Sequence, residues 1–265
     1  MAQTYKFGNG TWARKKGSTL AYSDTNNAFK PLPFSFERDS IATRVNKDGL
    51  IEVVGNDIPR IDYTDSAEGA LLLENSATNL ITYSEDFSNG WSYFDSSIVA
   101  NVLISPSGVL NASKFIEGNG SSIKRIVNST QSIVSGNSYT FSIFAKKGER
   151  DIITLTNYTG TVDATTTFNL TNGTITSGVG SIESFSNDWF KCTRSFTATA
   201  TITSQFIVQA FINNGSGIFY QGDGTSGIYI WGAQFEVGNL SSYIPTSGST
   251  VQRAAETANG SGNSE

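Results

Sequence analysis

The sequence has no histidine, one cysteine, one methionine and five prolines in 265 residues, and only 15% of its residues are charged. Without histidine, the commonest general base, the Ser-His-Asp and Cys-His arrangements and the commonest transition-metal ligand are all missing. One cysteine, Cys192, excludes an intrachain disulfide framework and a cysteine-based metal cluster. Its apolar strand context favours a small buried hydrophobe over a reactive thiol. So little charge excludes the ordinary soluble helical protein, whose exposed helix faces carry Glu, Lys and Arg. The 18 Lys and Arg against 23 Asp and Glu leave a net charge of −5, which argues against an electrostatic grip on nucleic acid or an anionic membrane. No stretch approaches the roughly 18 apolar residues that span a bilayer, and the first residues hold no apolar core of signal-peptide length.

What is present is Ser, Thr, Asn and Gly, interleaved with 38% hydrophobic and 12% aromatic residues. Short runs rich in Thr, Ile, Val, Phe and Tyr between Gly, Asn and Ser clusters predict an all-β chain. Tyr139, Phe141, Ile143 and Ala145 make an apolar face at period two, and Phe206, Val208, Ala210 and Ile212 make another. A third runs through Tyr229, Trp231, Ala233 and Phe235. Asn172-Gly173, between Thr167–Leu170 and Thr174–Thr176, predicts a hairpin. Strand signals at about 8–12-residue spacing predict an antiparallel β-sandwich or jelly roll over residues 76–250. Residues 1–75 differ. They hold Pro31, Pro33 and Pro59, and single aromatics such as Tyr5, Phe7, Trp12, Phe29, Phe34 and Phe36. They read as an extended N-terminal arm with a few edge strands, Gly49–Val54 and Ala70–Leu73 foremost, acting in assembly or anchoring. Residues 251–265, rich in Gly, Ser and Asn, read as a flexible tail.

Chemistry-bearing motifs are few. No phosphate-binding glycine loop and no nucleophile elbow occurs. Two-carboxylate glycoside hydrolysis needs only Asp and Glu, but Glu85, Asp86, Glu183 and Glu236 carry no spacing that pairs them, so a non-enzymatic protein is expected. Gly222–Gly227 holds a single carboxylate, Asp223, too few oxygen donors for calcium, and reads as a tight turn. Neither a cofactor nor a metal is expected. Trp231 and Trp189 read as core. Trp91, beside Asn89-Gly90 and followed by Tyr93 and Phe94, lies in a loop-like context. Trp91, Tyr93 and Phe94 are therefore the candidate glycan platform, because an aromatic face can stack on the apolar C–H face of a sugar. Packing in a core or an interface competes with that role.

Several stretches together resemble a family of phage virion structural proteins, found in tail fibres and head fibres. They are Ile41–Glu52, Pro59–Tyr63, Leu71–Glu74, Thr78–Phe87, Phe144–Gly148, Gly227–Glu236 and Ser242–Thr246. The resemblance implies a jelly roll similar to carbohydrate-binding modules over about 76–250, displayed on a virion as a head fibre, decoration or tail-fibre subunit. It implies as partners other copies of the chain, a trimer favoured, together with capsid or tail proteins and host or mucus glycans. It leaves head and tail location open. Modules of this shape often hold calcium through a carboxylate on the final strand, which here reads Tyr229–Gln234 without one. A soluble lectin-like module and a glycan depolymerase are the alternative functions.

Overall fold

The computed structural model describes residues 12–15, 18–23, 28–31, 35–159 and 163–259. The chain forms two compact units, one built from residues before 78 with 241–244 and the segment from 252, the other from 78–240 with 245–251.

The larger unit contains twelve principal strands: β1 (Trp91–Phe94), β2 (Ser96–Ile104), β3 (Leu110–Glu117), β4 (Arg125–Asn128), β5 (Ser138–Lys147), β6 (Ile152–Tyr158), β7 (Asp163–Asn169), β8 (Thr174–Ser177), β9 (Ser181–Phe185), β10 (Trp189–Thr197), β11 (Gln209–Asn213) and β12 (Gly227–Val237). They form two six-stranded antiparallel sheets, ordered β1-β4-β11-β6-β7-β8 and β2-β3-β12-β5-β10-β9. Number β3, β4, β5, β6, β7, β10, β11 and β12 from one to eight. One sheet then contains 2-7-4-5 and the other 1-8-3-6, so successive strands alternate between sheets except at the hairpin of four and five, which gives two interlocked Greek keys. The fold is a jelly roll.

Period two dictates what lies between the sheets. Tyr139, Phe141, Ile143 and Ala145 of β5 meet Ile153 and Leu155 of β6, Ala210 and Ile212 of β11, and Phe115, Ile126 and Phe168 in one buried cluster. Cys192 lies in this cluster, where burial pushes its thiol pKa far up and leaves it inert. The Asn-Gly hairpin predicted at 172–173 joins β7 to β8.

One expectation fails inside β12. The run Tyr229, Trp231, Ala233, Phe235 reads as a single face, but Gly232 adopts φ 59 and the register against β5 slips between Ser142 and Phe144. This bulge puts Ile228, Ile230, Ala233 and Phe235 in the core and turns Trp231 to the other face. There Trp231 packs on Phe144, their ring centroids 5.3 Å apart, and Phe144 packs on Phe185 at 5.0 Å. Trp189 shares this face, and its indole donates to the Ile104 carbonyl at 3.1 Å. Both tryptophans are buried as expected, against a second cluster rather than the first. Phe206 also departs from its pattern. A turn precedes β11, and Phe206 sits half-buried outside the core.

The smaller unit is a set of short strand pairs. Trp12–Lys15, Ser18–Ser23 and Ala28–Pro31 form a three-stranded sheet, Ala42–Val45 pairs with Ile51–Val54, and Arg60–Asp62 pairs with Ala70–Leu72. The side chains of Tyr5, Phe7, Trp12, Phe29 and Phe34 lie outside the described residues. The flexible tail expected over 251–265 does not describe 251–259. Thr257–Asn259 pairs with Ser35–Glu37, and the Glu256 side chain is fully buried. Glu256 Oε1 accepts from Arg38 Nη1 at 2.7 Å and from Arg60 Nε at 2.7 Å, and Oε2 accepts from Arg60 Nη2. Two buried guanidiniums, at 38 and 60, thus hold the segment around 256, a link no local composition reveals.

Candidate functional site

The outer face of the first sheet carries the most distinctive surface chemistry. Ile126, Leu155 and Ala210 point into the core, so their strand neighbours point out. Strand register sets these in rows. One row runs Phe94, Arg125, Phe211, Thr154 and Thr167, and the next Ser92, Val127, Gln209, Thr156 and Thr165. Aromatic and guanidinium groups thus gather on β1, β4 and β11, and hydroxyls on β6 and β7. Thr154 and Thr167 share a hydroxyl hydrogen bond of 2.9 Å.

Arg125 is the centre of this face. Its guanidinium carbon lies 4.4 Å from the Phe94 ring centroid, 5.0 Å from that of Phe206 and 5.9 Å from that of Phe211. The planar cation is therefore packed among three rings, which fixes its plane. Arg125 Nη1 donates to Gln209 Oε1 at 3.0 Å, and Gln209 Nε2 donates to the Phe206 carbonyl at 2.7 Å. The Gln209 amide thereby ties the guanidinium to the turn that brings Phe206 over the sheet. Arg125, Tyr158, Phe206 and Gln209 line a cleft of about 300 Å³. Thr156 Oγ1, buried on the row of Gln209, has no hydrogen-bond partner among the described residues. The arrangement offers the exposed Phe94 ring and a planar donor edge, braced from beneath by the buried Gln209 amide and held before a ligand arrives.

The opposite outer face is closed by the Trp231 cluster. At one end of the sandwich, Arg150 donates to both oxygens of Glu117, at 2.7 Å each, and the Tyr220 hydroxyl donates to Glu117 Oε2 at 2.6 Å. Burial raises the Glu117 pKa, but these bonds and the Asp223 amide outweigh it and hold the carboxyl low. Tyr220 is pushed up by burial and by its bond to Glu117. Asp223 accepts from the amides of Thr225 and Ser226 and from both hydroxyls, which closes the turn read from Gly222–Gly227 and holds its pKa far down. Among the described residues no group of three metal-ligating side chains comes together.

No protein-family model matches the chain, and no curated protein is similar to it. Among solved structures, the chain is similar to xylanase 10B of Clostridium thermocellum, in its CBM22-1 and GH10 modules with xylohexaose, at 12% identity over 65% of this chain and 30% of that one, TM-score 0.36. It is similar to the enzymatically active domain of tailspike protein 4 of bacteriophage CBA120, at 11% identity over 60% and 22%, TM-score 0.32. It is also similar to TmCBM61 in complex with β-1,4-galactotriose, at 10% identity over 61% and 99%, TM-score 0.30. The chain spans less than a third of the first two. Likeness at this level is one of general form, and no ligand follows from it.

The three residues expected to form a glycan platform do not stay together. Trp91 is not in a loop. It opens β1 and is 7% exposed, packed 5.2 Å from the Phe87 ring, with its indole donating to the Tyr83 carbonyl at 3.1 Å. An Asn-Gly turn before it suggests a loop, but strand parity places it opposite Asn128 on the core side. Tyr93 is 38% exposed and shares that parity, its hydroxyl donating to the Phe87 carbonyl. Burial and the nearby Asp86 push its pKa up. Phe94 alone, 37% exposed, reaches the outer face. Arg125, Tyr158 and the pair Phe206 and Gln209 come from three separated places in the sequence, so no local motif announces them as a site. The carboxylates are equally dispersed. Glu85 accepts from Asn111, Asp86 caps its own turn, Glu183 lies on exposed β9, and Glu236 is buried beside Gln234.

Proposed function

We propose that the jelly roll binds glycans, without cleaving them, on the outer face of its first sheet, and that it does so displayed on a virion. One observation carries the binding: the Arg125 guanidinium packed among Phe94, Phe206 and Phe211 at the mouth of the cleft. The exposed Phe94 ring meets the C–H face of a pyranose, while the guanidinium edge, braced by the buried Gln209 amide, meets its hydroxyls. The virion setting is supported by the family resemblance of residues 41 to about 253. Contacts of this size give weak single-site affinity, and many copies on one particle raise it by avidity.

The test is a glycan array of host-surface polysaccharides and mucins, probed with a multimerised chain. Arg125→Ala and Phe94→Ala are expected to lower capture at least tenfold while the thermal midpoint stays within a few degrees. Capture that survives both substitutions overturns the site, and no capture of any glycan overturns the function. Release of reducing ends from a captured polysaccharide overturns the non-catalytic reading.

A further inference from the structure

Behind the same sheet end lies a second polar site of different chemistry. Lys124 stands between the short strand Ser121–Ile123 and β4, its side chain fully buried. Its Nζ is 2.6 Å from Asp95 Oδ2, 2.6 Å from the Gly120 carbonyl, 2.9 Å from the Ser122 carbonyl and 2.8 Å from the Tyr220 carbonyl. An ammonium has three N–H donors, yet four oxygens converge on it. The set is one carboxylate and three carbonyls, with no nitrogen or sulfur, which is the donor set of a hard cation. Asp95 is presented by a left-handed backbone, φ 43, and its Oδ1 takes the Gly120 amide at 3.2 Å. The hydrogen bond from Lys124 holds the Asp95 carboxyl below its usual range. The surrounding loops are closed so tightly that a Cβ at Gly118 would overlap the Asp95 carboxylate, and one at Gly222 would overlap the Gly118 carbonyl.

We propose that this cage is a binding site for a hard, oxygen-seeking cation, which the chain fills with its own Lys124 ammonium. Removing that ammonium leaves the oxygens converging on an uncompensated centre, and a free cation takes the place. The site also sets the proposed glycan face from behind, because Phe94 precedes Asp95 and Arg125 follows Lys124. Its test does not depend on that face, since the readout is thermal stability without glycan.

The experiment compares the full chain with Lys124→Ala and Lys124→Met by thermal unfolding, with calcium chloride, or with choline chloride at equal ionic strength. Removing the buried ammonium leaves three carbonyls without their donor beside a partly exposed Asp95, and is expected to lower the midpoint by roughly 5 °C in both variants. Millimolar calcium should restore at least half of that loss in Lys124→Ala, saturably, and choline should not. Lys124→Met, which fills the space with an uncharged chain, should stay low, and the unaltered chain should be indifferent to calcium. The proposal is overturned if calcium leaves Lys124→Ala unchanged, or if choline acts equally. It is overturned too if Lys124→Met or the unaltered chain gains as much, or if Lys124→Ala fails to fold even in calcium.

Discussion

The two units cohere by different physics. In the larger one, two sheets press some twenty-five apolar side chains into one cluster, and ion pairs sit at its ends. In the smaller one the buried apolar residues described are few: Phe36, Ala42, Ile51, Val54, Ile61, Tyr243 and Ile244. Charge supplies what they do not. Arg60 reaches Glu256, Glu74 at 2.8 Å, the Thr43 carbonyl at 2.7 Å and the Ser242 hydroxyl at 2.8 Å. Arg38 donates to Glu256, to the Ile58 carbonyl at 3.0 Å and to the Ser40 carbonyl at 2.9 Å. A guanidinium can join four separated segments through five directed donors, where a few small side chains cannot enclose a core. The difference teaches that short strand pairs are held by whichever interaction spans them, and that a buried ion network is brittle. Losing one apolar contact leaves a void, but losing one carboxylate leaves bare charge.

That contrast can be broken most directly at Glu256. Glu256→Ala removes the shared partner of two buried guanidiniums and is expected to cost the smaller unit roughly 5 kcal/mol, the upper end of a broken buried pair. Hydrogen exchange should show fast exchange across residues 35–77 while β5, β6 and β12 stay protected. Equal protection in both regions would mean that the ions are not what holds the smaller unit.

The reverse substitution lies in the apolar cluster. Phe141→Ala should cost roughly 3–4 kcal/mol, graded by how far the sandwich collapses into the void. The loss should appear in β5, β10 and β12 by the same exchange measurement. An effect below about 1 kcal/mol would remove Phe141 from the core.

Acid gives the smallest and most graded test. Burial alone raises the Glu74 pKa, but the Ser242 hydroxyl and amide with Arg253 and Arg60 outweigh it, and the carboxyl stays below its usual range. A depressed folded-state pKa contributes stability above the unfolded value, about 4.3 for Glu, and that stability is lost as pH falls through the folded value. The smaller unit should therefore lose protection progressively below about pH 4. In Glu74→Gln that part of the acid dependence should be missing, and an unchanged pH profile would show that Glu74 contributes none of it.

Much of the larger unit was legible in advance, for a physical reason. Alternation over β5 is uninterrupted, so Tyr139, Phe141 and Ile143 had to share a face, and they do. The Asn-Gly pair fixed its own hairpin through local backbone preference. Legibility ended where one residue changed the parity. Gly232 moved Trp231 to the far side of the sheet, and the turn before β11 carried Phe206 from the presumed core to the outer face. Trp91 faces the core despite the Asn-Gly pair before it, because its parity is set by a partner strand that local sequence does not name.

The sequence by itself determined the class of the fold, all-β and antiparallel, and it determined which chemistry is missing, since both follow from residue types and short-range period. Tertiary structure decided which side chains meet. Phe94, Arg125, Phe206 and Gln209 converge only because β4 pairs with both β1 and β11. Glu256 reaches Arg38 across 218 positions, and Lys124 reaches the Tyr220 carbonyl across 96. Period and propensity act over a few residues, whereas strand pairing and the closure of one sheet on another select neighbours without regard to their separation along the chain.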